Sequence, residues 1–268
     1  QKGVVHGLLG ENGAGKSSLM NVLSGIYLPE KGTIKIKNQK IKKMNPDIAS
    51  SLGIGMVHQE FRLIESFTIK DNLTLSKASI FSDNFEEAYE KYSEIFTLNS
   101  SYLTPINELS VGEKQKVEIM KLIFKNSEIM LLDEPTAVLT PQETSQLRES
   151  LEKLSQEDEK TIVLITHKLK EIKDFTERIF VMKNGKMVAK NLETQKVTDH
   201  ELIELMMGEV KTSNFNKNNK KGEVKLEVKD ISLTNSEQVK TLDDISFSIQ
   251  AGEILGVAGV SGNGQVEL

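Results

Sequence analysis

An α/β fold with a mainly parallel sheet is predicted by two features of this sequence. Short apolar runs of strand length alternate between residues 4 and 189 with segments of helical period, the order that builds a parallel sheet. The stretch Gly10-Glu11-Asn12-Gly13-Ala14-Gly15-Lys16-Ser17 stands between one such run and a helix. In an open α/β sheet that junction is where ligands bind.

Val4 to Leu9 is mostly apolar and reads as a buried strand. Lys16 to Ser24 places Leu19, Met20 and Leu23 at helical spacing, with Gly25 as a stop. Thr33 to Lys37 alternates and meets Asn38-Gln39, predicting a hairpin. Ile54 to Val57 is a short strand. Residues from about Ile69 to Lys125 read as mainly helical, with Phe85–Phe96 and Lys114–Phe124 the clearer segments. Ile129 to Leu132 is an apolar strand ending at Asp133. Thr140-Pro141-Gln142-Glu143 carries an N-cap, a first-turn proline and a capping-box glutamate. Thr161 to Ile165 is another buried strand. Ile179–Met182, Asn184-Gly185 and Met187–Ala189 read as a hairpin with a primed turn.

The pattern G-x-x-x-x-G-K-[ST] is complete in Gly10 to Ser17, and each position has a physical reason. The glycines let successive N–H groups turn inward toward phosphate oxygens. Lys16 adds a mobile point charge for the β- and γ-phosphates. Ser17 offers a hydroxyl to Mg²⁺, a hard cation with a preference for oxygen. The following helix, which includes Ser18, presents its positive dipole end at the same place. The predicted ligand is a nucleoside triphosphate. Asp133 and Glu134 follow a strand, so one carboxylate can hold Mg²⁺ through water and the next can orient or deprotonate an attacking water. Alone, Asp-Glu-Pro also reads as an exposed turn; the loop in the same domain favours the functional reading.

Composition narrows the classes. The 268 residues are 38 % hydrophobic and 27 % charged, an ordinary globular balance. A net charge of −5 offers no overall basic field for nucleic acid, so no nucleic-acid partner is expected. The absence of cysteine excludes disulfides, thiolate metal sites and cysteine nucleophiles. No run of about 18 apolar residues offers a membrane-spanning helix, and no signal peptide is read before the first strand. Both ends are expected to be cut from a longer chain.

The two ends repeat one another. Gly3, Gly7, Gly10, Gly13, Gly15 and Leu19 align with Gly252, Gly256, Gly259, Gly262, Gly264 and Leu268. In the second copy Gln265 stands for Lys16 and Val266 for Ser17. Gln is neutral and Val cannot coordinate Mg²⁺, so this loop is expected to support no efficient hydrolysis. The layout read is a first domain at 1–210, a polar Asn- and Lys-rich linker at 211–222, and the start of a second, degenerate domain at 223–268.

Further motifs carry a family resemblance. Leu109-Ser110-Val111-Gly112-Glu113 resembles the LSGGQ signature of ABC transporter ATP-binding subunits, with Val and Glu as departures. Gln59 in Met56-Val-His-Gln-Glu60 resembles their Q-loop glutamine, and His167 in Ile165-Thr-His-Lys168 their switch histidine. By itself His167 also reads as a plain strand-end histidine, and His58 is read as structural. The resemblance implies a P-loop NTPase of ABC ATPase fold, with a mainly parallel sheet, an antiparallel β portion and a helical subdomain at about 69–125. It implies ATP and Mg²⁺ as cofactors, held by Gly10–Ser18, with Ser17, Gln59 and Asp133 at the metal and Glu134, His167 and Lys16 catalytic. Ser110, Val111 and Gly112 would cap nucleotide on an opposing domain. Thr140 stands where the family often has Asp, which puts cross-talk through that loop in question.

The fused layout and Val111 resemble sugar and nucleoside importers, with the nucleoside type nearest and ribose or galactose importers as the alternative. Implied partners are transmembrane permease subunits, a solute-binding lipoprotein acting indirectly, and a second ABC domain of the same chain. The implied place is the cytoplasmic face of the membrane, peripherally bound. A soluble tandem ABC ATPase is the rival class, and a nucleotide binder without turnover the non-enzymatic one.

Overall fold

The computed structural model describes residues 3–75, 84–208, 222–234, 240–259, 264–265 and 267–268. The chain divides into two units, 1–210 and 211–268. Most of the linker and residues 260–263 and 266 of the second glycine loop lie outside the described residues, as do 76–83 of the helical stretch.

In the first unit β1 (Val5–Leu9) leads through the glycine loop into α1 (Lys16–Leu23). The hairpin β2 (Ile34–Ile36) and β3 (Gln39–Ile41) follows. Its turn residues are Lys37 and Asn38, at φ 48° and 64°. The turn thus falls one residue earlier than the sequence suggested, because both central positions of a primed turn need positive φ. Next come α2 (Pro46–Ser51), β4 (Ile54–Val57), α3 (Ile69–Thr74), α4 (Phe85–Ile95) and α5 (Val111–Phe124). The stretch read as mainly helical is broken from 96 to 110, apart from a short 3₁₀ turn at Ile106–Glu108. Helix α5 starts three residues before the expected Lys114, because Ser110 and Glu113 close a capping box.

Then follow β5 (Ile129–Asp133), α6 (Pro141–Gln156), β6 (Thr161–Thr166), α7 (Leu169–Phe175), β7 (Arg178–Lys183), β8 (Lys186–Glu193) and α8 (Asp199–Met207). Asn184 and Gly185, at φ 49° and 73°, make the expected primed turn between β7 and β8. The short helices α2, α7 and α8 were not read from the sequence.

Six strands form one sheet in the order β4-β5-β6-β1-β7-β8. All neighbours are parallel except β7 and β8. Side chains alternate across it, as strand geometry requires. Met130, Leu132, Ile162 and Leu164 join a core with Val117, Met120, Leu147 and Leu151 of α5 and α6. Leu131, Ile165 and Leu8 join Met20 of α1 and Ala49 of α2 on the other face. Both faces are covered, so the strands read as continuous apolar runs. Register levels the carboxyl ends: Val57 pairs with Leu132, Asp133 with Ile165, and Leu9 with both Thr166 and Val181. The loops after β1, β4, β5 and β6 therefore open at one edge.

The second unit is a hairpin of β9 (Val224–Thr234) and β10 (Lys240–Gln250), antiparallel, with register shifts along its length.

Candidate functional site

At that shared edge a cleft of about 330 Å³ is lined by Asn12, Gly13, Gly15, Lys16, Ser17, Ser18, Gln59, Asp133 and Glu134. They come from three places along the sheet edge. The glycine loop follows β1, Gln59 follows β4, and the carboxylates end β5. A larger cleft of about 510 Å³ lies at the opposite edge, by Val5 and Arg178. Within it Arg148 pairs with Glu152 and Arg178 with Glu193, and none of the predicted site residues lines it.

The loop's shape follows from its glycines and from the β7–β8 turn behind it. Gly10 packs so close to Met182 that a Cβ would overlap that residue's carbonyl. Gly185 donates its N–H to the Ala14 carbonyl at 3.0 Å. Gly15, the N-cap of α1, sits at φ 96° and ψ 10°, a conformation glycine adopts without strain. Lys16 folds back across the loop, donating to the carbonyls of Gly10 at 2.8 Å and Glu11 at 2.9 Å. It is only 6 % exposed. Burial pulls its ammonium pKa below the usual lysine value, while Glu134 and Asp133 pull it back up. A ligand bearing negative charge would restore that proton affinity. Glu11 and Ala14 face a separate small recess with Met182 and Asn184 rather than the main cleft.

Asp133 is buried and lines the same cleft as Ser17. Burial raises its pKa, and Glu134 adds to this against the pull of Ser17 and Lys16. A hydroxyl, a carboxylate and the Gln59 side-chain amide bordering one cleft make an oxygen donor set that fits a hard divalent cation. Glu134 points elsewhere: its Oε1 lies 2.7 Å from His167 Nδ1. Its backbone sits at φ 48°, an uncommon value for a non-glycine residue. The strained backbone sends consecutive carboxylates to different neighbours.

Ser110, Val111 and Gly112 do not line the cleft. Ser110 caps α5, accepting from the Glu113 N–H at 3.3 Å, while Glu113 accepts from the Ser110 N–H at 2.9 Å. Val111 is exposed. Gly112 is buried at the start of α5, where a Cβ would overlap the carboxylate of Glu143 on α6. His58 is half-buried, and its pKa falls through burial and the nearby Arg62 and Lys121, with Glu118 opposing. Sequence reasoning missed Thr136, Thr166 and Glu171, buried polar residues joined by hydrogen bonds and near Glu134 and His167 in the chain.

A glycine loop, a buried lysine and paired carboxylates at the carboxyl edge of a parallel sheet define a nucleotide-binding α/β domain. Among known families, the ABC transporter family matches residues 1–137, and this chain belongs to it. The nucleoside import ATP-binding protein NupA of Lactococcus lactis subsp. cremoris is 40 % identical over 274 residues, covering 100 % of this chain and 54 % of that protein. The guanosine import ATP-binding protein NupO of Bacillus subtilis is 40 % identical, covering 100 % and 53 %. Sugar-import ATP-binding proteins also match, at 33 % to 38 % identity. The chain thus spans about half the length of these relatives. The ADP conformation of MJ1267, an ATP-binding cassette of an ABC transporter, is 26 % identical, with TM-score 0.66 over 76 % of this chain and 87 % of that one.

Proposed function

We propose that this chain is the nucleotide-binding part of an ATP-hydrolysing protein that drives nucleoside import. The observation that carries the reading is the single cleft where Lys16, Ser17, Gln59, Asp133 and Glu134 meet. Lys16 and the N–H groups of residues 13–18 grip the β- and γ-phosphates. Ser17, Asp133 and Gln59 would hold Mg²⁺, which supplies neutralisation of the phosphate oxygens. Glu134 orients the attacking water and accepts its proton, and His167 holds the Glu134 carboxylate and contacts the γ-phosphate. Ser110 to Gly112, outside this cleft, cap nucleotide held by an opposing ABC domain, and residues 223–268 begin such a second domain of the same polypeptide.

The partners in this reading are transmembrane permease subunits at the cytoplasmic face of the membrane, with a solute-binding lipoprotein acting through them. Among the described residues no helix is long and apolar enough to cross a membrane. Nucleosides are favoured over ribose or galactose by the higher identity to NupA and NupO than to the sugar-import relatives. Deleting the gene and measuring uptake of labelled guanosine and ribose tests this. Loss of guanosine uptake alone supports the reading; loss of ribose uptake alone replaces it with the sugar reading.

A further inference from the structure

Behind the Glu134–His167 pair lies a carboxylate that the proposed chemistry does not use. Glu171 of α7 is only 8 % exposed. Its Oε1 accepts from the Thr136 hydroxyl at 2.6 Å and from Lys168 Nζ at 2.8 Å. Its Oε2 accepts from the Thr166 hydroxyl at 2.7 Å. Burial pushes the Glu171 pKa up, but the bonds from Lys168, Thr136 and Thr166 outweigh it and hold the group below its ordinary value. The side chain is therefore an anion, and a buried anion persists only where its partners are fixed.

Those partners sit at informative positions. Thr136 is two residues past Glu134, in a turn closed by the Ala137 N–H donating to the Glu134 carbonyl at 3.1 Å. Thr166 immediately precedes His167, and its Oγ1 also accepts from the Lys168 N–H at 3.1 Å. One carboxylate thus joins the segment after Glu134 to the segments on both sides of His167. Each of its oxygens takes one of the two threonines, so the spacing between the two segments is set by the width of a carboxylate.

We propose that Glu171 is a positioning residue that fixes Glu134 and His167 in register. The inference rests on the roles given above to those two residues. Lys16 and Ser17 belong to a different loop, so their grip on nucleotide does not depend on Glu171. The device acts on turnover and leaves nucleotide affinity alone. A misplacement of order 1 Å at reacting groups costs roughly 100-fold in rate.

The test measures steady-state phosphate release and equilibrium MgATP binding for the complete polypeptide in its membrane assembly. The variants are Glu171→Ala, Thr136→Val and Thr166→Val, alone and with His167→Ala. The valines are near-isosteric and leave the Glu171–Lys168 pair in place, so they carry the test if Glu171→Ala does not fold. The expected result is a kcat lowered by about 10- to 100-fold with KM and nucleotide affinity within about twofold of wild type. In the His167→Ala background the added change should vanish, because the residues act as one unit. Wild-type kcat in Thr136→Val and Thr166→Val, a KM that rises with the fall in kcat, or losses that multiply with His167→Ala would each overturn the proposal. Full turnover in His167→Ala itself would instead remove the site reading on which it stands.

Discussion

Adjacent carboxylates at the end of β5 have opposite surroundings. Asp133 is buried against Ser17, and burial favours its protonated form. Glu134 leaves the strand at φ 48° and meets His167. Backbone strain of this kind persists only where the surroundings over-determine it. Here the Glu134 N–H still donates to the Ile165 carbonyl at 2.9 Å, which anchors the strained residue to β6. The roles assigned to the two carboxylates are therefore separable. Glu134→Gln keeps the shape and still reaches His167, but it cannot accept a proton. It is expected to bind MgATP with wild-type affinity and to slow phosphate release by about 100-fold or more. Turnover near the wild-type rate in that variant would show that the proton goes elsewhere.

At the scale of elements, helices α3, α5, α6 and α8 start in one way. Thr68, Ser110, Thr140 and Thr198 each cap a helix, with Asp71, Glu113, Glu143 and Glu201 reaching back. Ser110 has a second, proposed task, contact with a γ-phosphate across an interface, and two substitutions separate the tasks. Ser110→Ala removes the cap and should cost about 1 kcal/mol in thermal or urea unfolding. Ser110→Asn caps about as well as serine but lacks the hydroxyl. It should keep stability while lowering turnover by about 10-fold, the loss of one charge-assisted hydrogen bond. Equal turnover in Ser110→Asn and wild type would leave Ser110 as a cap alone.

The same boxes give a pH dependence with a definite sign. Glu143 and Glu201 have pKa values lowered by bonds from their N-cap residues. At Glu113 burial opposes, but the bonds from Ser100 and Ser110 win. A carboxylate with a lowered folded-state pKa stabilises fully above its unfolded value, 4.5 for these groups, and loses that contribution as pH falls through the lower folded value. Helix content measured by circular dichroism is expected to hold down to about pH 5 and then fall, with Glu143→Gln flattening part of the fall. An acid profile unchanged by Glu143→Gln would mean that this box does not drive it.

These elements also show what was legible in the sequence. The glycine loop, the Thr140 capping box and the Asn184-Gly185 turn are spelled in consecutive residues, so each was read with its role in the chain. Helix α7 spans only Leu169–Phe175 and has no side-chain cap, which leaves too little periodicity to detect. Glu171 escaped for a related reason: Thr136 lies 35 residues away in sequence, and only the β5–β6 pairing brings the two together. The signature motif places Gly112 in the sequence, but its close approach to Glu143 depends on how α5 and α6 cross. Contacts between elements carry no local signature.

For the whole molecule, the question is whether the two glycine loops do equal work. In the first, Lys16 bridges the Gly10 and Glu11 carbonyls and carries the charge that the proposed phosphate grip uses. The second has Gln265 at the corresponding position and Val266 after it. An amide brings no charge to a triphosphate, and an isopropyl group brings no oxygen to a cation. If the complete protein closes on two nucleotides, the first loop should turn its nucleotide over while the second chiefly holds one. Lys16→Ala, in the complete polypeptide with the membrane partners proposed above, is then expected to weaken MgATP binding at its own site by about 10- to 100-fold. Phosphate release should be abolished. Gln265→Ala removes no charge and should leave phosphate release within about twofold of wild type. Measuring both variants side by side is decisive, because a symmetric mechanism requires both substitutions to stop turnover. If Gln265→Ala stops phosphate release as completely as Lys16→Ala, then the neutral loop also takes part in hydrolysis, and asymmetry must be given up along with the account of the lysine as its cause.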